Sequence, residues 1–395
     1  MIIKNVKVYT PEKIFVDGWI RVQGGVFESV GTGSEPAVSG EDVLDGDGCY
    51  AIPGLIDLHF HGCKGYDFCD GTKEAIEEIA KYEASVGVTA IAPATMTLTV
   101  EELVHVLKTA AQYKRESEDE RQKEGGAVLA AMKADLVGIN MEGPFISPAK
   151  KGAQNEKNII PCSVRIAQEF LDASEGLVKI IGLAPEESDD ALPYIKSMKD
   201  KVHISLAHTN APYETAKAAF EAGADHAVHL YNAMPAFTHR EPGVIGAVAD
   251  CLHVAAELIC DGIHIHPAVV RATFQMMGAD RMILISDSIR AAGMPDGHYT
   301  LGGLDVEVKG KRAVLVSDGA LAGSCTNLAD CMRTAVKEMQ LPLETAVACV
   351  TINPARQLGI DKEYGSIEAG KKASVVLLDA ELGLKAVVKD GVRIR

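Results

Sequence analysis

Two histidines one residue apart, His59 and His61, close the apolar run AIPGLIDLHFHG. In an extended strand, residues two apart point to the same side, so both imidazoles can reach one metal ion. Four more metal-compatible side chains stand where other strand-like apolar runs give out: Glu142 after LVGINM, His208 after VHISLA, His229 after HAV and Asp287 after MILIS. An ordinary hydrophobic core does not require that coincidence. Neutral imidazoles with carboxylates suit zinc or iron(II), and relative affinity alone does not choose between them. The set is larger than one tetrahedral ion uses. A centre of two ions about 3.5–4 Å apart, with Glu142 as the bridge, accommodates it.

Positioning six such residues is the task of the elements around them. Candidate strands cover 52–59, 88–94, 136–142, 178–184, 202–208, 225–230, 254–260 and 281–287, eight in all. The spacers carry helical periodicity, as in the stretches beginning at Thr72, Val100, Ala211 and Pro267, several with Thr or Pro near the start. Eight alternations predict an α/β chain folded as a (β/α)8 barrel of the TIM type, whose active face lies at the C-terminal strand ends. A doubly wound open sheet is the competing topology. It would want a Gly-X-Gly-X-X-Gly turn after the first strand, and none is present.

Both chain ends read as short β segments with glycine turns, and neither has enough strands to bury a face alone. They are expected to meet in a small β-sandwich domain, residues 1–52 with 360–395, flanking a catalytic barrel over 53–359 with a β-hairpin insertion near 298–320. The charged stretch from Lys114 reads as an exposed helix end or loop.

Composition narrows the partners. A 395-residue chain with a formal charge of -16 disfavours nucleic acid and anionic membrane surfaces, which need clustered Lys and Arg. No run approaches the roughly 20 apolar residues of a membrane span. The nine cysteines form no CxxC pair, and the first residues show no signal-peptide pattern, so reduced thiols and a cytoplasmic location are expected.

The segments PGLIDLHFHG, NMEGPFISPAKKGAQN, LAHTNA, HLYNAMPAFTHREPG, DGIHIHP, LISDSIRAAGMPDG, LAGS and TINPARQLG, spread over nearly the whole chain, resemble those of the N-acetylglucosamine-6-phosphate deacetylases of the amidohydrolase superfamily. The resemblance implies metal binding by Glu142, His208 and His229, with His59 and His61 adding a second ion. Some relatives carry Gln at the first of these histidines and hold one metal; this chain keeps both. The fourth strand end reads GLAPEE, without the lysine that bridges two ions in other members, which leaves the bridge to Glu142. A divalent cation, one or two per subunit, is expected: zinc or iron(II) first, manganese or cobalt next. It would lower the pKa of water from about 16 toward about 7. Asp287 would take the proton as the acetyl carbonyl is attacked and return it to the departing amine.

The resemblance also implies a phosphosugar substrate held by Ala153 and Gln154 near the acetyl group, by Asn232 and Ala233, by Asp261 and His264, and by the loop Leu321, Ala322 and Gly323. Many relatives have His where Gln154 stands, which leaves open whether its side chain donates to the carbonyl or only orients the ligand. A phosphate dianion in so acidic a chain needs a directed guanidinium, and Arg240 meets that need. In related enzymes this arginine comes from the neighbouring subunit, so a homodimer is expected. Each residue also has a plainer reading. Asp287 could cap a helix, Arg240 could be solvated, and His264 could be structural; Cys63 and Cys69 could be buried thiols. His266, two residues further into a helix start, has more claim to the plainer reading than His264, and His105, His203, His226, His239, His253 and His298 are assigned to structure or solvent. Two rival functions remain, a dihydroorotase-like cyclic amidase and a catalytically silent scaffold.

Overall fold

In the computed structural model, which describes all residues except 34–39 and 41, the eight apolar runs of the middle segment form parallel strands that follow one another in chain order. Leu55–Asp57, Val88–Ile91 and Asp135–Leu136 make one ladder. Ala94–Thr95, Ile139–Phe145, Val178–Leu183, His203–Leu206, His226–Ala227, Ala255–Ile259 and Met282–Ile285 make the other. The second and third runs are each interrupted and contribute to both ladders. These strands are buried along nearly their whole length, which is why the runs are apolar without alternation.

The parallel sheet is curled. Ile56 and Leu58 from its first strand region pack with Ala90, Ile180, Ile259, Ile283 and Ile285 in one buried cluster. The first and last strand regions are hydrogen-bonded at their C-terminal ends: Asp287 N–H donates to His59 O at 3.0 Å, and the Ser286 side-chain Oγ donates to Asp57 Oδ2 at 2.6 Å. The helices start as the sequence signals require. Thr72 caps Lys73–Ser85, Thr99 and Glu102 form a capping box on Val100–Arg121, and Pro267 opens Pro267–Met277. The charged stretch from Lys114 is the end of Val100–Arg121, followed by Gly126–Ala131.

Two predicted strands fall furthest short of the expected length. The run 52–59 yields only Leu55–Asp57, because Ile52 and Pro53 pair with Val376 and Val375 in a different sheet. The chain crosses between sheets at Gly54, where a Cβ would lie 2.1 Å from Thr89 Oγ1. The run 225–230 keeps only His226–Ala227, since His229, Tyr231 and Ala233 all have positive φ. The insertion expected as a hairpin is a three-stranded antiparallel meander, Gly297–Leu301, Leu304–Lys309 and Arg312–Leu315. Two tight two-residue turns, Gly302–Gly303 and Gly310–Lys311, with glycines at positive φ, account for the extra strand.

The two chain ends do meet. Ile2–Tyr9, Phe15–Gln23, Val26–Thr32 and Val43–Pro53 join Val375–Leu378, Leu384–Lys389 and Val392–Arg393 in one seven-stranded sheet. Alternation sorts its side chains: Val376 and Leu378 join the main core, whereas Val375 and Leu377 join a separate cluster with Ile3, Val8, Ile20 and Val388. Val26 also bridges to Lys372, which leads into the C-terminal strands. Among the described residues no helix is long and apolar enough to cross a membrane.

An ion cluster fastens this sheet to the parallel strands. Asp135 accepts from Lys389 Nζ at 2.9 Å, Lys372 Nζ at 3.0 Å and Arg121 Nη2 at 2.7 Å. Burial opposes its charge, yet the three cations hold its carboxyl well below the usual range. With the folded pKa depressed, this contribution is present above the unfolded value of about 3.9 and lost as pH falls through the folded one. Asp135→Asn, which takes from the fully buried Lys389 the nearer of its two carboxylate partners, is expected to lose about 3 kcal/mol near neutral pH. In urea unfolding, the gap to wild type should narrow in acid below about pH 4; a variant as stable as wild type at neutral pH would contradict the assignment.

Candidate metal centre

His59, His208, His229 and Asp287 each stand two residues past the end of a parallel strand, and Glu142 lies inside Ile139–Phe145. The fold thus brings to one place the six side chains that the sequence scatters over more than half its length. Three of them, His208, His229 and Asp287, have φ of 43°, 26° and 48°. Non-glycine residues rarely adopt this left-handed backbone, and holding it is unfavourable by roughly 1–3 kcal/mol each. The turn is what aims each side chain back over the strand ends.

Glu142 is at the middle of the group. Its Oε1 lies 2.7 Å from His229 Nε2, 3.0 Å from His208 Nε2 and 3.4 Å from His59 Nε2; its Oε2 lies 3.4 Å from His61 Nε2. Asp287 Oδ1 is 3.3 Å from His61 Nε2 and 3.8 Å from His59 Nε2. All six residues are buried.

Whether such a group accepts a cation follows from where its protons are. His208 Nδ1 is 2.9 Å from Lys150 O, and a carbonyl only accepts, so the ring proton is on Nδ1. His59 Nδ1 is 2.7 Å from Glu257 Oε2, which fixes its proton in the same way. Both Nε2 atoms then turn lone pairs toward carboxylate oxygens, and the Nε2 atoms of His208 and His229 approach to 3.2 Å. Acceptors facing acceptors in a dry site repel unless a cation lies among them. His59 Nε2 is buried and without a hydrogen-bond partner among the described residues. His59, His61 and Asp287, and likewise His59, Glu142 and His229, offer ligand atoms that all lie within 4.8 Å of one another. The residues fit a divalent ion of the kind that imidazole and carboxylate bind.

In the metal-free site, protons on His59 and His61 meet the same demand for positive charge. Burial disfavours the charged form of His61, but Asp287 and Glu142 outweigh it and raise the pKa to about 10. His59 moves the same way: burial opposes, and Glu257 and Glu142 prevail. Glu142 is held well below the carboxylate range, burial being overcome by His208, His229 and His59, and Asp287 is lowered against its burial by His61 and His59.

A cavity of about 240 Å³ opens onto this group. Ala153, Gln154, Asn232, Ala233 and His264 line it, with Leu321 and Gly323 across from them. Asp261 stands behind the wall, accepting from His264 Nδ1 at 2.8 Å and from the Ile263 and His264 N–H groups. Ala322 is buried in the meander's cluster and does not line the cavity. Arg240 lies outside this cavity, exposed, with its guanidinium donating to His239. Gln154 has a settled orientation: its Oε1 accepts from Thr97 N–H at 2.7 Å, which turns the amide NH2 onto Glu142 Oε2. Cys69 Sγ accepts from Met96 N–H at 3.2 Å, and Cys63 is buried in the core. Neither thiol joins the groups of ligand atoms.

Sequence reasoning missed Glu257, which contacts His59, His226 and the backbone of His229, and Asn140, which contacts Glu257. One signal was available, a charged residue in the middle of the apolar run VAAELIC. Met96 and Leu301, which complete an apolar side of the cavity, carried none.

Comparison with known proteins agrees over nearly the full length. The model of the amidohydrolase family matches residues 50–393. The N-acetylglucosamine-6-phosphate deacetylase of Bacillus subtilis (strain 168) is 34% identical over 383 residues, 96% of this chain and 93% of that protein. The N-acetylgalactosamine-6-phosphate deacetylase of Escherichia coli O157:H7 is 33% identical, covering 96% of each. A mutant N-acetyl-D-glucosamine-6-phosphate deacetylase from Mycobacterium smegmatis, solved in complex with N-acetyl-D-glucosamine-6-phosphate, aligns with a TM-score of 0.89 at 30% identity, over 100% of this chain and 98% of that one.

The raised pKa of His61 has a measurable consequence. Stabilisation of the metal-free fold by its proton is complete below the unfolded value of about 6.5 and is lost as pH rises through about 10. A divalent ion must displace that proton, so metal affinity should climb with pH over the same window. Calorimetric titration of metal-stripped protein with zinc near neutral pH, in buffers of different ionisation enthalpy, should report net proton release; heats independent of the buffer would contradict it.

Proposed function

The chain belongs to the amidohydrolase family, and we propose that it hydrolyses N-acetyl-D-glucosamine 6-phosphate to D-glucosamine 6-phosphate and acetate. The observation that carries this reading is Glu142 Oε1 held within 3.0 Å of the Nε2 atoms of both His208 and His229, with Asp287 beside His61 at the edge of the same cavity. In this reading His208, His229 and Glu142 hold one divalent ion. His59 and His61, with Asp287 and Glu142, would hold a second. Zinc or iron(II) is preferred, with manganese or cobalt next. A bound ion supplies Lewis acidity, bringing the pKa of water from about 16 toward about 7 and drawing charge onto the acetyl oxygen.

The chain's own residues supply the proton transfers and the fit. Asp287 is ionised at neutral pH because His61 and His59 hold its pKa down despite burial, so it is ready to take a proton. Placed at the cavity, it returns that proton to the amine as the amide C–N bond breaks. Gln154, with its amide committed to Thr97 and Glu142, orients Glu142 in preference to gripping the substrate carbonyl. Met96, Leu301 and Leu321 offer the acetyl methyl an apolar wall that excludes water. Asn232, Ala233 and His264, the last braced by Asp261, frame the sugar and its phosphate together with Leu321 and Gly323. Arg240 does not line its own cavity, which is consistent with a homodimer in which it reaches the partner's phosphate site.

The same reading treats the curled parallel sheet as a closed (β/α)8 barrel over 53–359. The Asp287–His59 and Ser286–Asp57 bonds near its first and last strands support this. Residues 1–52 and 360–395 are read as a two-layer β domain, supported by a sheet that buries its own apolar cluster and is bridged from Val26 to Lys372. A cytoplasmic location suits a phosphosugar substrate. The cyclic-amidase and scaffold alternatives are not favoured by the relatives.

Release of acetate from N-acetylglucosamine 6-phosphate by the metal-loaded protein is the direct test, with the free sugar and the galacto epimer as comparison substrates. The 6-phosphate is expected to be much preferred over the free sugar. Asp287→Asn should lower kcat by about 10²–10⁴-fold or more with the ion at Glu142, His208 and His229 retained. Substantial remaining turnover would remove Asp287 from the proton-transfer role, and equal rates on free and phosphorylated sugar would remove the phosphate from recognition.

A further inference from the structure

Glu257 is a carboxylate in the middle of the seventh parallel strand, Ala255–Ile259, with no exposure to solvent. A charge in that position is strongly unfavourable unless its lone pairs are used. They are all used by residues of the centre and its supports. Oε2 accepts from His59 Nδ1 at 2.7 Å and from His229 N–H at 3.0 Å; Oε1 accepts from Asn140 Nδ2 at 3.2 Å and lies 2.8 Å from His226 Nε2. Asn140 Nδ2 also donates to Leu58 O at 3.1 Å, so the network ties the seventh strand to the first, third and sixth.

We propose that Glu257 is a positioning residue that makes His59 a metal ligand and thereby determines whether the ion on the His59 and His61 side is held. A neutral imidazole has one proton for two nitrogens. With the carboxylate at 2.7 Å, that proton stays on Nδ1, and the Nε2 lone pair faces Glu142 and Asp287. Without the carboxylate, Glu142 and Asp287 would draw the proton to Nε2, and the ring would donate a hydrogen bond where it should ligate. A carboxylate behind an imidazole also strengthens its donation to a metal. On the other side of Glu142 the corresponding task falls to Lys150 O behind His208 Nδ1. The ion among Glu142, His208 and His229 therefore does not need Glu257 for the state of its His208 ligand. Charge points the same way, since a second dication in a closed site is better matched when a third buried carboxylate accompanies Glu142 and Asp287.

This inference rests on the reading of the site as a metal centre but not on the identity of the sugar. Its test is titration of metal-stripped protein with cobalt(II), read by visible absorption and by elemental analysis of the saturated protein. Wild type is expected to take up two ions in two steps. Glu257→Gln, which keeps the shape but removes the charge, is expected to keep the first step and to weaken the second by about 10–100-fold. A second step with wild-type affinity, both steps weakened alike, or a wild type that binds one ion would each overturn the proposal. Should the variant not fold, the wild-type protein still answers through the imidazole proton of His59, assigned by its loss in His59→Gln. Nitrogen-15 NMR of the zinc-loaded protein should find that proton on Nδ1, and a proton on Nε2 would refute the role. Deacetylation of N-acetylglucosamine 6-phosphate by wild type, followed in parallel, reports on the functional reading separately, because a protein holding one ion can still be a deacetylase.

Discussion

At the centre of this molecule, imidazole nitrogens whose protons are fixed on their far sides turn lone pairs onto a shared, buried carboxylate. In water that arrangement would be trivial; in a closed, low-dielectric site it is stable only with positive charge among the acceptors. The protons on His59 and His208 are fixed by Glu257 and by Lys150 O, so the constraint extends outward into the strands that carry those partners. Much of what is unusual in the chain follows from it: left-handed backbone at His208, His229 and Asp287, a glutamate inside an apolar strand, and a glutamine amide turned onto Glu142.

The parallel sheet suits the task because side chains placed just past strand ends converge without any one loop having to reach far. Packing keeps them there. Phe60, between the two histidines of the first strand region, is fully buried in the core and orients the segment. The meander after the eighth strand contributes Leu301 to the cavity, and its own cluster includes Met96 and Ile289, so it is anchored to the sheet it covers. At the opposite end, the Asp135 cluster ties the sheet built from both termini to the same framework.

Parts of this were legible in the sequence because each part had a local signature. His59, Glu142, His208, His229 and Asp287 ended apolar runs, and strand ends are where a parallel sheet exposes chemistry. The eight runs themselves were plain because strands buried on both faces are nearly continuous in Val, Ile and Leu. Other features had no one-dimensional mark. The run through Gly54 looked like one strand, and only pairing with Val375 and Val376 divides it between two sheets. Glu257 stood out as a charge in an apolar strand, but its partners lie 28 to 198 residues away, too far for spacing to name them. Gln154 lines the cavity, and its commitment to Glu142 depends on Thr97 N–H, a backbone group that no pattern reveals.

The claim beneath all of this is that Glu142, His208 and His229 close around one divalent cation, and X-ray diffraction from crystals of the protein as isolated, at the zinc and iron absorption edges, tests it most directly. The account predicts an anomalous peak about 2.0–2.2 Å from Glu142 Oε1 and from the Nε2 atoms of His208 and His229. A metal-replete crystal in which those three atoms hydrogen-bond to one another through protons, with any ion bound elsewhere, would contradict it.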